Sequence, residues 1–101
     1  MIDIGIYQFE GPYEDAAKLE DRSGVYAILD HRGTEYRLLD CGESATVKTR
    51  VAGHDRRPCW TRNSTGKLYY AVYYTPNLQQ SGRMEVEQAI RKQFNPTCGD
   101  R

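Results

Sequence analysis

The most constraining feature of the sequence is an apolar run followed by a tight turn and a second strand-like segment. Val25 to Leu29 is the continuous apolar run, and Tyr36 to Cys41 has the composition of the returning strand. Between them, Asp30-His31-Arg32-Gly33 supplies turn residues, including a glycine that adopts positive φ without steric cost. The pattern predicts an antiparallel hairpin, which other elements must cover to bury its apolar side chains.

The segments around this hairpin predict a small α/β (α+β) domain. After the hairpin, Val47 and Val51 define the buried stripe of a helix capped by Ser44, and 68–74 has strand composition. Ser81 is the predicted cap of a last helix. We expect a small, mainly antiparallel three-stranded sheet flanked by helices. Residues 1–23, predicted as a short strand and a short helix, form an N-terminal extension, and residues 24–101 form the main domain.

The charges of the chain balance overall but are unevenly distributed. Fourteen basic and fourteen acidic residues cancel, which argues against nonspecific binding of nucleic acid by the whole surface. Residues 44–63, however, include five basic residues and a single acidic residue, Asp55. The predicted nucleic-acid contacts are drawn from this basic segment: Lys48, Arg56, Arg57 and Arg62.

The cysteines and the hydropathy of the chain bear on its compartment. The sequence shows neither a signal peptide nor an apolar stretch that could span a bilayer, so we expect no membrane association. Cys41, Cys59 and Cys98 form no CxxC pair, and their number is odd. We therefore expect free thiols in a cytoplasmic protein. A structural metal site that combines cysteines with His31 or His54 remains an alternative.

Three ordered stretches resemble the GIY-YIG nuclease superfamily, which includes homing, restriction and repair endonucleases. Gly24-Val25-Tyr26 resembles the family's GIY, and Asp40-Cys41-Gly42 stands in the place of its YIG. Arg50 and His54 match an arginine followed four residues later by histidine, as in some restriction-type members. Glu87-Gln88-Ala89-Ile90, on a helix that ends before Pro96, resembles the family's E-x-x-[LI] helix. The resemblance covers roughly residues 24 to 96.

The resemblance implies a metal-dependent endonuclease. Phosphodiester hydrolysis needs a positioned water, neutralised charge at phosphorus and help for the leaving oxygen. By resemblance, Glu87 is the ligand of one divalent metal, Mg²⁺ or Mn²⁺, and Arg50 clamps the phosphate. Tyr26 positions the water and shares a proton with His54, whose imidazole ordinarily titrates near neutral pH. Arg50 and His54, at i and i+4, are expected on one helical face.

Two other residues could be matched to the motif positions assigned to Glu87 and Tyr26. Glu87 lies about 60° from the centre of the buried stripe and Glu85 about 140°, at roughly 100° per residue, so Glu87 is the better ligand. A literal Gly5-Ile6-Tyr7 also occurs, but Tyr7 is too far from Asp40 for two strands joined by a tight turn. We expect Tyr7 to be a packing residue.

Two positions depart from the family pattern. Asp40 replaces the second tyrosine, and it is open to three interpretations: a second metal-binding carboxylate, a base, or the mark of a degenerate site. The asparagine that the family carries after Pro96 is missing, and Asp100 is the candidate to replace it as a polar partner. The leading hypothesis is an endonuclease that cuts DNA in preference to RNA, with specificity from the basic segment, the extension, a partner protein or a homodimer. The alternative is a catalytically impaired module that binds nucleic acid or protein.

Overall fold

The computed structural model describes residues 1–99, so Asp100, with the role predicted for it, lies outside the described part of the chain. Five β-strands, three α-helices and one short 3-10 helix occur within these residues. The strands are β1 (Ile2–Ile4), β2 (Tyr7–Tyr13), β3 (Gly24–Arg32), β4 (Glu35–Ser44) and β5 (Lys67–Tyr74). The α-helices are α1 (Val47–Ala52), α2 (Arg57–Asn63) and α3 (Gln80–Phe94), and Ala16–Lys18 forms the 3-10 helix.

The predicted hairpin is present at one side of the sheet, with β4 as the edge strand. β3 and β4 pair in antiparallel fashion from Gly24 opposite Ser44 to Arg32 opposite Glu35. Gly33 turns the chain with a φ of 65°. β5 pairs antiparallel with the other edge of β3, so β3 is flanked on both sides. The α+β class and the antiparallel hairpin are therefore confirmed.

The prediction of three strands is wrong, because the sheet has five in the order β1-β2-β5-β3-β4. β2 pairs with β5 through Glu10 opposite Val72, and β1 pairs with β2. Residues from the predicted N-terminal extension thus add two strands to the same sheet. A pairing between such distant residues has no local signature in the sequence. The domain boundary after residue 23 stays a prediction.

The helices begin and end at residues other than those expected. Thr46 is the N-cap of α1, and the Ser44 hydroxyl accepts a hydrogen bond from the Thr46 N–H at 2.9 Å. Ser81 lies inside α3, which has Gln79 as its N-cap. The short helix expected within residues 1–23 is a single 3-10 turn, capped by Asp15.

Side chains alternate along β3 between two buried clusters on opposite faces of the sheet. We call one the α1–α2 face, which contains Tyr26, Ile28, Leu39, Val47, Val51, Trp60, Tyr70, Val72 and Cys98. The other is the α3 face, which contains Val25, Ala27, Leu29, Cys41, Ala71, Val86 and Ile90. The short helices α1 and α2 cover the first face, and the long helix α3 covers the second.

A disulfide joins Cys59 in α2 to Cys98 in the C-terminal segment, with their Cα atoms 6.1 Å apart. The expectation of free thiols is therefore wrong for these two residues, and only Cys41 is free, buried beneath α3. The odd number of cysteines did not indicate this disulfide, whose two residues are 39 positions apart in the sequence.

Among residues 1–99, no cluster of three or more metal-binding side chains exists, which contradicts the alternative of a cysteine–histidine metal site. None of the helices in the described part of the chain has the length and apolarity to cross a membrane.

Candidate active site

Tyr26 lies near the start of β3, with its side chain on the α1–α2 face. Gly42 is its cross-strand neighbour on β4, and the phenol lies directly over this glycine. A Cβ atom at position 42 would overlap the phenol, so the close approach requires glycine. Tyr26 is 2% exposed, and only its hydroxyl end reaches the polar groups described next.

His54 is the hydrogen-bond partner of Tyr26. The Tyr26 hydroxyl and the His54 Nε2 are 2.6 Å apart. His54 was expected on the same helix as Arg50, and this expectation is wrong because α1 ends at Ala52, with Gly53 as its C-cap. The loop after Gly53 turns the imidazole inward instead, so that it is buried between Tyr26 and Trp60.

The hydrogen bonds of His54 define its protonation state. Burial and the nearby Arg56 and Arg50 lower the pKa of His54 to about 4, so the ring is neutral at pH 7. The sequence predicted that His54 would titrate near neutral pH, and its pKa is lower than that. The Nδ1 atom accepts a hydrogen bond from the Arg56 backbone N–H at 3.0 Å. This bond favours the tautomer in which Nε2 carries the proton and donates to the Tyr26 oxygen, whereas the Asp55 carboxylate, 3.2 Å from Nδ1, favours the other one. We assign the first tautomer.

The charges around Tyr26 keep its phenol protonated. Burial and the negative charge of Asp40 raise the pKa of Tyr26 to about 12, while Arg56 and Arg50 act in the opposite direction. Glu87 also raises this pKa. Arg50 and Glu87 therefore both lie within electrostatic reach of one phenol, although they come from α1 and α3.

Arg50 projects from α1 with its side chain 41% exposed. Its guanidinium forms an exposed ion pair with Asp55 at 3.3 Å. Such pairs contribute little to stability, so the guanidinium can exchange this carboxylate for another anion at small cost. Asp21 fixes α1 in place, because its carboxylate accepts hydrogen bonds from the backbone and the hydroxyl of Thr49 at 3.0 and 2.8 Å.

Asp40, which replaces the second family tyrosine, is fully buried and saturated with donors. Its Oδ2 accepts hydrogen bonds from Arg56 Nε and Trp60 Nε1, both at 2.8 Å. Its Oδ1 accepts from Arg91 at 2.8 Å and from Arg56 at 3.3 Å. The carboxylate therefore connects α2 to α3 beneath the site.

Glu87 is a partly exposed residue of α3, with a side chain 17% accessible. One of its oxygens, Oε2, accepts a hydrogen bond from Arg91 Nε at 3.0 Å. Glu85 is exposed on the same helix, as the helical geometry predicts. The stripe expected from the sequence was centred on Val86, Ile90 and Phe94, and of these three Phe94 is 42% exposed.

The four basic residues predicted to contact nucleic acid fall into two groups. Lys48 and Arg62 are exposed on α1 and α2. Arg56 is bound to Asp40, and Arg57 donates from Nε to the carbonyls of Val51 and Ala52 at 3.0 and 3.1 Å. Arg57 thereby satisfies carbonyls at the end of α1 and lies over the Trp60 ring.

Sequence reasoning missed Arg91 and the role of Trp60. Arg91 lies four residues after Glu87, which is the spacing of a helical ion pair and the signal that could have revealed it. Trp60 donates its indole N–H to Asp40 as well as packing in the core. The literal motif residue Tyr7 lies on β2, where its ring contacts Tyr73 at 5.3 Å between centroids.

The residues present fit a single hard divalent cation. Glu87 is partly exposed, and its Oε1 accepts none of the hydrogen bonds found within residues 1–99. Mg²⁺ commonly binds through one or two carboxylates together with waters and substrate phosphates, so a lone carboxylate is a sufficient protein ligand. Asp40 has no free oxygen to add, because both are occupied by donors.

Comparison with known proteins establishes the fold. No family model and no curated protein sequence matches the chain. Two crystal structures of the GIY-YIG N-terminal endonuclease domain of UvrC from Thermotoga maritima are similar to it, with TM-scores of 0.62 and 0.59 and identities of 11% and 12%. Each comparison covers 85% of this chain and 91% of the other. Both are tyrosine-to-phenylalanine point mutants bound to the catalytic divalent cation of that domain. The chain therefore has a GIY-YIG-like fold, as the sequence motifs predicted.

Proposed function

We propose that this protein is a metal-dependent endonuclease that hydrolyses phosphodiester bonds of nucleic acid. The observation that carries the proposal is the Tyr26–His54 hydrogen bond of 2.6 Å, made within electrostatic reach of Arg50 and Glu87. The hydrogen bond joins β3 to the loop after α1, and the charges of Arg50 in α1 and Glu87 in α3 both act on the same phenol. The nuclease fold of the structural neighbours supports the same assignment.

Tyr26 is the proposed water-positioning group. Its oxygen accepts from His54 Nε2–H, which leaves the hydroxyl proton and one lone pair to hold a water. With a pKa of about 12, the phenol acts in its protonated form at neutral pH. His54 fixes the direction of the hydroxyl and is in turn held by the Arg56 backbone N–H. Tyr26 therefore orients the water through one fixed hydrogen bond.

Arg50 is the proposed phosphate clamp. Its guanidinium carries five N–H donors in a planar fork that matches phosphate oxygens. Because the partner carboxylate of Asp55 is exposed, exchange for a phosphate costs little. Lys48 and Arg62 extend the basic surface and are proposed to contact neighbouring phosphates. Arg56 and Arg57 belong to the same predicted set, and their bonds to Asp40 and to α1 favour positioning roles.

Glu87 is the proposed ligand of one divalent cation, Mg²⁺ or Mn²⁺. When bound, such an ion neutralises charge at phosphorus and lowers the pKa of a bound water. The cation bound in the similar UvrC domain supports this part of the proposal. Asp40, with both oxygens occupied, is proposed to hold Arg56, Arg91 and Trp60 in place rather than to bind metal or act as a base.

The substrate and partners follow from the resemblance and the surface. We infer DNA in preference to RNA, because the motifs resemble those of homing, restriction and repair endonucleases. Sequence specificity would come from the basic segment, from the N-terminal strands, or from a partner protein or a second copy of the chain. A cytoplasmic location stays a prediction, and the disulfide removes the free-thiol argument for it.

A cleavage assay tests the proposal directly. Purified protein is incubated with plasmid DNA and with RNA in Mg²⁺ or Mn²⁺. Glu87→Gln and Arg50→Ala should each lower cleavage by about 10²–10³-fold, because each removes charge stabilisation at the reacting phosphate. Glu85→Gln, an exposed neighbour on the same helix, is the matched control and should cleave like the wild type. Cleavage retained in both Glu87→Gln and Arg50→Ala would contradict the proposal.

One observation favours a second candidate, a catalytically impaired binding module. Asp40 replaces a family tyrosine, and its burial means that no second phenol or free acid takes that place. Such a module would bind an oligonucleotide or a protein without cleaving it, and its melting temperature would not respond to Mg²⁺ or Mn²⁺. A rise in melting temperature with Mn²⁺ that is lost in Glu87→Gln would exclude this candidate.

A further inference from the structure

The negative charge of Glu87 is already balanced by a neighbouring arginine before any metal ion binds. Arg91, one helical turn further along α3, donates from Nε to Glu87 Oε2 at 3.0 Å. This leaves Oε1 as the oxygen without a hydrogen bond to any described residue. The pair of side chains carries no net charge, so the proposed ligand is already neutralised by a neighbour.

Arg91 is itself held firmly and cannot easily move aside. Its side chain is 2% exposed, and its NH2 group donates to Asp40 Oδ1 at 2.8 Å and to the Cys41 carbonyl. Its NH1 group donates to the Cys98 carbonyl at 3.2 Å. That carbonyl belongs to the segment fastened to α2 by the Cys59–Cys98 disulfide. All three nitrogens of the guanidinium are thus occupied.

Arg91 also stays charged. A guanidinium is effectively always protonated in proteins, so the burial of Arg91 does not remove its charge. A fixed guanidinium beside a carboxylate repels a second cation that approaches the same carboxylate. A divalent cation at Glu87 therefore needs negative charge from another group to offset the repulsion by Arg91. A nucleic-acid phosphate supplies that charge.

We propose that Arg91 is a positioning residue that leaves Glu87 one free oxygen and keeps its affinity for a divalent cation low until a nucleic-acid phosphate binds. This inference rests on the proposed function, because it takes Glu87 as the metal ligand. It adds that metal and substrate bind cooperatively, each raising the affinity for the other by the same factor.

Mn²⁺ binding, followed by the electron paramagnetic resonance signal of the free ion, tests the charge effect without any turnover. Arg91→Met removes the charge and should tighten Mn²⁺ binding about tenfold in the absence of nucleic acid. Arg91→Lys keeps the charge and should bind Mn²⁺ with nearly the wild-type affinity. Lys92→Met removes an exposed charge from the next position and is the matched control, with little expected change.

The direction of the change separates this role from a merely structural one. If Arg91 only supported the fold around Glu87, Arg91→Met would weaken Mn²⁺ binding. Circular dichroism and the melting temperature establish that each variant is folded. Weaker or unchanged Mn²⁺ binding in folded Arg91→Met would overturn the inference.

A second measurement uses the wild-type chain and does not depend on the folding of Arg91→Met. The affinity for Mn²⁺ is measured with a short phosphorothioate oligonucleotide and with a methylphosphonate oligonucleotide of the same sequence, whose backbone is neutral. The charged oligonucleotide should tighten Mn²⁺ binding about tenfold or more, and the neutral one should not. Equal effects of the two oligonucleotides, or none, would overturn the inference.

Glu87→Gln distinguishes failure of the inference from failure of the proposed function. Loss of Mn²⁺ binding in Glu87→Gln supports Glu87 as the ligand, so that an unchanged affinity in Arg91→Met would then count against the inference alone. If Mn²⁺ binding is the same in Glu87→Gln and the wild type, the metal site is elsewhere and the proposed function fails together with the inference.

Discussion

The two faces of the sheet are stabilised in different ways. The α3 face is covered by one helix of 15 residues, whose Val86 and Ile90 pack on apolar strand residues. The α1–α2 face is covered by helices of 6 and 7 residues. It contains the buried polar groups Tyr26, Asp40 and His54, and a disulfide fastens it to the C-terminal segment.

This difference shows how a chain of modest size supports a polar site. Buried polar groups cost free energy unless each is hydrogen-bonded, and short helices bury little apolar surface in compensation. On the α1–α2 face, the Asp40 network satisfies the buried charges and the disulfide adds a covalent constraint. The α3 face carries an ordinary apolar core. We therefore expect substitutions on the α3 face to affect mainly stability, and those around Tyr26 to affect mainly activity.

The largest expected effect on stability is that of the disulfide. It closes a loop of 39 residues, and a cross-link of this span is worth about 3–4 kcal/mol in the unfolded-chain model. Dithiothreitol should lower the melting temperature of the wild type markedly, whereas Cys59→Ser/Cys98→Ser should melt at the reduced temperature with or without reductant. Three reactive thiols in the unfolded, unreduced wild type would show that the bond does not form.

On the α3 face, Ile90→Ala tests the apolar core. Ile90 is 1% exposed, so its truncation should cost about 3 kcal/mol of unfolding free energy, measured by urea denaturation. Cleavage per folded molecule should stay near the wild-type value. Met84→Ala, an exposed residue of the same helix, is the control and should cost less than about 0.5 kcal/mol. A loss of cleavage in folded Ile90→Ala would break the distinction between the faces.

Tyr26→Phe tests the opposite face. Removing the hydroxyl deletes one hydrogen bond to His54, which should cost about 1 kcal/mol of stability. Cleavage should fall about 100-fold, because the water loses its positioning group. Tyr70→Phe is the matched control, since Tyr70 is a buried tyrosine of the same cluster without a hydrogen bond to its hydroxyl among the described residues. Equal cleavage by the two variants would contradict the role of Tyr26.

The pH dependence of stability tests the state of His54. Its pKa is about 4 in the folded chain, below the value near 6.5 of an unfolded chain. The unfolded chain therefore binds more protons between these values, and stability should fall by about 2.5 kcal/mol as the pH is lowered from 6.5 to 4. In His54→Gln, the free energy of unfolding measured by urea denaturation should not show this part of the decrease with falling pH. Parallel curves for the two proteins would mean that His54 titrates normally.

The sequence predicted the β3–β4 hairpin because its signals there are local. The hairpin follows from an apolar run, a glycine turn and a second strand-like segment, and helical geometry together with the family resemblance favoured Glu87 over Glu85. The pairing of β2 with β5 joins residues far apart in the chain, and no periodicity indicates it. Such contacts are determined by packing rather than by local propensity.

The site residues proposed from the sequence stay predictions, and apart from the partnership of Tyr26 with His54 the sequence did not indicate the hydrogen bonds among them. The i, i+4 spacing placed Arg50 and His54 on one helix, whereas Gly53 ends that helix and the loop brings the imidazole to Tyr26. Asp40 was left with several interpretations because a carboxylate's role depends on its donors. Those donors are Arg56, Trp60 and Arg91, which come from separate elements and meet only in the folded chain.

The central claim is that the carboxylate at position 87 and the phenol at position 26 serve one metal-dependent site. The most direct test is a crystal structure of the protein grown with Mn²⁺ and a short phosphorothioate oligonucleotide, with anomalous diffraction to locate the ion. The account predicts an anomalous peak within coordination distance of Glu87 Oε1, with a backbone phosphate between it and Arg50. A Mn²⁺ peak bound elsewhere, with none at Glu87 while the oligonucleotide is seated, would contradict it.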